Sequence, residues 1–128
     1  VTLLASRRAT LVWLWLPVVL YMAAIFVASS SPDPPMPSDV SDVSLHEVAY
    51  FGLTLFVIRA LARGEWRGVT AMTLVLAWLI AVAYGATDEW HQSFVPNRHA
   101  ELRDLGSDAI GALAAAIVAG AWSIIRRL

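Results

Sequence analysis

Three short stretches hold most of the side chains capable of chemistry: Asp42-Val43-Ser44-Leu45-His46-Glu47-Val48-Ala49-Tyr50, Asp88 to Arg98, and Asp104-Leu105-Gly106-Ser107-Asp108. On a helix, His46 and Tyr50 share a face, as do Tyr84, Asp88 and Gln92, and likewise Asp104 and Asp108. Histidine and carboxylates are the usual general acids and bases, and an arginine such as Arg98 can hold a phosphate or carboxylate. His46-Glu47 opens an H-E-x-x-H zinc motif, but the fifth position is Tyr50, so the second imidazole is missing. Ser44 to Glu47 also fits a capping box, which gives Glu47 a structural task. His46 has no such explanation, and its type can donate, accept or bind a metal.

Asp104 has the position and type of an N-cap for the last helix. Asp108 lies a turn further in, among alanines, and needs a partner; Arg98 is expected, with Arg103, His46 or a cation as the alternatives. Six carboxylates near this level, Glu47, Asp88, Glu89, Glu101, Asp104 and Asp108, face only Arg98 and Arg103. So acidic a cluster must take up protons, bind a divalent cation or attract a cationic group. No ligand spacing demands a particular metal, and no cofactor is called for. Ser93 and Ser107 have no base marked beside them and cysteine is absent, so no nucleophile stands out.

The elements that must position these residues are set by hydropathy. Of the 128 residues 59% are hydrophobic and only 15% charged, with the charges confined between long apolar runs. Runs over about 11–28, 45–62, 69–87 and 105–125 approach the ~20 residues needed to cross ~30 Å of hydrocarbon. Backbone polar groups in lipid must be satisfied within the segment, so these runs are read as helices. The expected fold is an all-α, antiparallel four-helix bundle integral to the membrane, one domain over 1–128. The first run follows Arg7 and Arg8 like a signal peptide, but its length and weak cleavage site favour a retained helix.

All nine basic residues are arginine. Arg7, Arg8, Arg59, Arg63, Arg67, Arg126 and Arg127 fall at one set of helix ends, so both termini are expected in the cytoplasm and the acidic mouth outside. No basic stripe interleaved with aromatics suggests nucleic acid. Gly111, Ala115 and Ala119, with Ala112, Ala116 and Gly120, form small-residue stripes on the last helix, suited to close packing in the bundle or to a homodimer.

The ordered pattern of Ile25-Phe26-Val27-Ala28-Ser29, then Asp42, His46 and Tyr50, then Asp88-Glu89 with Gln92, Phe94, Pro96 and Arg98, then Asp104, Asp108 and Gly111 resembles the VanZ-like family of membrane proteins. The D-E-x-x-Q-x-F-x-P-x-R run is the specific part. The family usually carries Lys where Val43 stands and Asn where Asp108 stands, and both differences make this mouth more acidic. The resemblance implies a multi-pass bacterial membrane protein of the cell envelope, in a family named after a teicoplanin-resistance accessory protein and without a settled biochemical activity. Two functions are therefore expected to compete. One is binding of a lipid-linked precursor or glycopeptide at a mouth formed by His46, Tyr50, Asp88, Glu89, Gln92, Arg98, Asp104 and Asp108. The other is a membrane enzyme acting on such a lipid by acid-base or metal-assisted chemistry. A proton or ion pathway is disfavoured because the inner halves of the helices are apolar.

Overall fold

A computed structural model describes residues 2–128. Among them lie four α-helices and no strand: α1 (Thr2–Ser29), α2 (Asp42–Leu61), α3 (Ala71–Gln92) and α4 (Leu102–Ile125), with one 3-10 turn at Trp66–Gly68. All four helices are long and apolar enough to cross a membrane.

The distribution of side chains is that of a protein solvated by lipid. Trp13, Leu79 and Ile117 are 70%, 49% and 63% exposed, whereas Ala77, Ala81, Ala112 and Ala115 are fully buried. In water such an apolar surface would drive aggregation. In a bilayer there is no hydrophobic gain in hiding leucine from acyl chains, so small residues that admit close backbone contact occupy the interior. The chain is a multi-pass membrane-helix bundle.

α2 and α4 make the most extensive contact, and α3 packs on both. Where α2 meets α4, Gly111 lies against the backbone of Glu47, leaving no room for a Cβ. Of the expected small-residue stripes, Gly111, Ala112, Ala115, Ala116 and Ala119 are buried within the bundle, whereas Gly120 is partly exposed. α1 lies on α2 through Leu14 and Val18, and meets α3 near its end, where Tyr84 Oη donates to Met22 O at 2.5 Å.

Several helix limits differ from those expected from hydropathy. α1 begins nine residues before the apolar run, since a helix need not stop where polarity begins; Ser6 and Thr10 hydroxyls bond back to Leu3 O and Ser6 O. α3 starts at Ala71 because Thr70 and Thr73 cap it reciprocally, and it continues to Gln92, five residues past the apolar stretch. α2 starts at Asp42, with Ser41 as N-cap accepting from Ser44 N at 3.1 Å. The expected capping box of Ser44 and Glu47 is therefore not formed. α4 starts at Leu102, behind Glu101 as N-cap residue.

The arginine-rich end is closed by a turn in which Arg63 and Gly64 adopt left-handed φ values of 57° and 75°. Arg127 donates to Trp66 O and Val69 O, tying the end of α4 to this turn. Arg59 reaches Trp13, its guanidinium 5.6 Å from the ring centroid, an interfacial cation–π contact that lets the charge leave the apolar layer.

Candidate functional site

The opposite end of the bundle gathers the polar residues of all four helices. Extending α2 back to Asp42 places Asp42 and His46 one turn apart on one face. The tight α2–α4 approach at Gly111 then brings His46 to Asp108, with Nδ1 2.7 Å from Oδ1. Asp108 is completely buried, and its other oxygen sits against Gly85 of α3, where an added Cβ would fall 2.7 Å from Oδ2. The expected Asp108–Arg98 pair is not formed. His46, the less favoured alternative, takes that place because it stands on a helix packed against α4, whereas Arg98 belongs to the loop after α3.

Asp104 also departs from expectation. α4 begins three residues earlier than an Asp104 cap would require, so Asp104 falls inside the first turn and is 5% exposed. Its Oδ2 lies 3.8 Å from His46 Nε2, and its Oδ1 3.5 Å from Arg103 Nε, an ion-pair contact rather than a hydrogen bond. Arg103, largely exposed, also approaches Glu101 and Asp42 at 3.3 and 3.7 Å. Glu89 of α3 accepts from the backbone N–H of Glu101, the N-cap residue of α4, at 3.0 Å and so satisfies one donor at the start of that helix.

A second network joins α3 to α1. Asp88 Oδ2 accepts from Ser29 Oγ at 2.8 Å and from Gln92 Nε2 at 3.2 Å. Arg98 Nη2 donates to Gln92 Oε1 at 2.9 Å. What returns Arg98 to the bundle is the turn Val95-Pro96-Asn97-Arg98, in which Arg98 N bonds Val95 O and Asn97 takes a positive φ of 61°. Proline second and asparagine third suit a turn that needs a left-handed third residue. Among the described residues Arg98 forms no ion pair.

Residue types alone did not single out Ser29, Ser30 or His91. Ser30 Oγ lies 2.9 Å from His91 Nε2, and Phe26 stacks on that imidazole at 4.2 Å, so with Ser29 they clasp α1 to α3. The signals present were the Ile25 to Ser29 part of the family-like pattern, the serine run that closes the first helix, and the place of His91 within the Asp88–Arg98 stretch.

These elements enclose an open cleft of about 470 Å³ between α1, the 30–41 loop, α2 and α3. Ile25, Met36, Leu45 and Ala49 give it apolar walls, and His46, Tyr50, Asp88, Gln92 and Arg98 give it a polar side. Tyr50 Oη and Asp88 Oδ1 have no hydrogen-bond partner among the described residues, although both residues are buried. Such atoms are unfavourable unless a ligand or water meets them. Of the expected site residues, five therefore line the cleft, and Glu89 and Asp108, with His46, form a compact group on its α4 side. Asp104 joins His46 and Asp42 in a more exposed group.

No curated protein and no solved structure matches the chain. The family model described as VanZ/LLP1 matches residues 9–125, taking in most of α1, all of α2, α3 and α4, and every residue of the cleft and of the two acidic groups. The chain therefore belongs to the VanZ/LLP1 family.

Proposed function

We propose that this protein is a bacterial cell-envelope membrane protein, one VanZ-like domain over residues 1–128, that binds an amphipathic ligand carrying an anionic group. Lipid-linked envelope precursors and glycopeptides are the ligand classes of that description. The reading is carried by one observation: an apolar-walled cleft whose polar side presents Arg98 without a carboxylate partner among the described residues. Arg98 would hold the phosphate or carboxylate bidentately. Asp88 Oδ1 would accept from a ligand hydroxyl or amide and Tyr50 Oη would complete the polar contacts. The ligand's apolar part would lie along Ile25, Leu45 and Ala49, continuous with lipid.

Arg98→Gln is expected to weaken binding of a pyrophosphate-linked polyprenyl precursor in nanodiscs by about 10–100-fold, the worth of a charge-assisted bond. Arg98→Lys should fall between, because an ammonium keeps the charge and loses the fork. Equal affinity of Arg98→Gln and the unaltered protein would refute the assignment.

The cleft is assigned to the outer face because seven of the nine arginines lie at the other end, which the positive-inside rule places in the cytoplasm with both termini. Ser38→Cys, in the exposed 30–41 loop, should be labelled in intact cells by a thiol reagent that does not cross membranes. Labelling only after the membrane is broken would reverse the topology.

One observation favours a second reading, a membrane enzyme acting on the same ligand. His46 is held at Nδ1 by Asp108, the arrangement of a general base with its orienting carboxylate, and it lines the cleft. Turnover of the precursor by the unaltered protein, absent from His46→Gln, would establish this reading over binding alone.

A further inference from the structure

We propose that the junction of α2, α3 and α4 is a binding site for a divalent transition-metal ion, with His46, Glu89 and Asp108 as its protein ligands. One donor atom from each of these residues lies within 4.8 Å of the other two. Ligand atoms on one ion, with bonds of about 2.0–2.2 Å, stand at most about 4.4 Å apart, so a small inward movement closes the group. The His46–Asp108 hydrogen bond would then be exchanged for two bonds to the ion.

An acidic group alone would not carry this. Two of its oxygens do: Glu89 Oε1 and Asp108 Oδ2 have no hydrogen-bond partner among the described residues, on side chains only 7% and 0% exposed. Buried carboxylate oxygens without a donor are strongly unfavourable, and a cation is what they lack. Neither arginine at this end of the bundle reaches these two oxygens. Arg98 bonds Gln92, and Arg103 reaches Asp42, Glu101 and Asp104. The surroundings have the form of a ligand-orienting shell: Glu101 N–H holds Glu89 Oε2, and Gly85 makes room for the Asp108 carboxylate.

The donor set selects the metal. One imidazole with two carboxylates suits zinc, manganese or ferrous iron, whereas calcium and magnesium prefer oxygen alone. Three protein ligands leave a coordination position open to water or to an anionic group. The neighbouring group of Asp42, His46 and Asp104 is a poorer candidate, because Arg103 already serves both of its carboxylates and Asp42 is exposed.

The proposal does not depend on any organic ligand, so metal alone is the probe. Full-length protein made without a polyhistidine tag, stripped with EDTA in detergent, is titrated with zinc, manganese, magnesium or calcium chloride. Bound metal is counted after gel filtration. The expected result is about one zinc or manganese per chain, with a raised Tm and no comparable uptake of magnesium or calcium. Glu89→Gln and Asp108→Asn should weaken uptake by at least the roughly 10–100-fold that loss of an outer-shell partner costs, while Asp42→Asn should keep it. Glu89→Gln preserves an acceptor for Glu101 N–H, so it carries the test should Asp108→Asn misfold. No retained metal, or undiminished uptake by Glu89→Gln, would overturn the site. Loss in Asp42→Asn as large as in Glu89→Gln would transfer it to the outer group and overturn it equally.

Discussion

Replacing Gly111 by leucine should destabilise the bundle by at least about 3 kcal/mol, the upper end of what overpacking usually costs. Most overpacked cores find relief in a rotamer change. Here a Cβ at Gly111 would run into the carbonyl, Cα and carbonyl carbon of Glu47, all backbone, so α2 and α4 must separate. That separation would also pull His46 from Asp108, since the two residues flank the same contact. Against a total stability of about 5–15 kcal/mol for an ordinary domain, the loss is large. Two other glycines of α4 provide the scale. At Gly120 the nearest obstacle is the Leu74 side chain at 3.0 Å, which can move, so Gly120→Ala should cost less. At Gly106 nothing lies within 4 Å, so Gly106→Ala should be neutral or stabilising by up to about 1 kcal/mol through helix propensity. Unfolding in mixed detergent micelles would measure all three, and a Gly111→Leu protein within 1 kcal/mol of the parent, about the worth of a single helix-propensity change, would refute the close-packed junction.

The second large effect concerns the His46–Asp108 pair. Removing one partner of a buried neutral hydrogen bond costs about 1–3 kcal/mol, and breaking a buried ion pair about 3–5. The two ranges meet near 3 kcal/mol, which is the expected loss for Asp108→Ala. His46→Leu should cost at least as much, because it leaves the fully buried Asp108 carboxylate with neither oxygen bonded among the described residues. The double variant removes the need for a partner along with the partner. Its loss should fall short of the sum by about 1–3 kcal/mol, within the usual coupling of groups in contact. The cycle is best measured with EDTA present, so that ligation does not add to the pair. Strict additivity would mean that the 2.7 Å contact carries no energy of its own.

Both predictions turn on which residues meet, and that was legible only in part. Asp108 stood out in the sequence as an aspartate among alanines, a position that must have a partner. Which partner depends on the rotation and depth of α2 against α4, and those are set where Gly111 meets the Glu47 backbone. Hydropathy cannot supply such a detail, because the inward and lipid-facing sides of these helices are both apolar. Likewise, shifting the α2 cap from Ser44 to Ser41 changed no apolar residue, yet it freed Glu47 from capping and set Asp42 and His46 in one helical face. Asp104 lost its capping role in the same way, once α4 was seen to begin at Leu102.

The sequence by itself determined that four apolar segments become helices across a membrane, and that the acidic and histidine-bearing ends collect at one level. The reason is that lipid admits only backbone whose polar groups are satisfied within the segment, over a length fixed by the bilayer. Tertiary structure alone decided the pairings: Asp108 with His46, Asp88 with Ser29 and Gln92, Glu89 with the Glu101 amide, and Arg98 with Gln92 beside an open cleft. The small-residue stripes of α4 are periodic in the sequence but do not say which helix they meet, and a turn such as the one at Asn97 leaves no periodic trace.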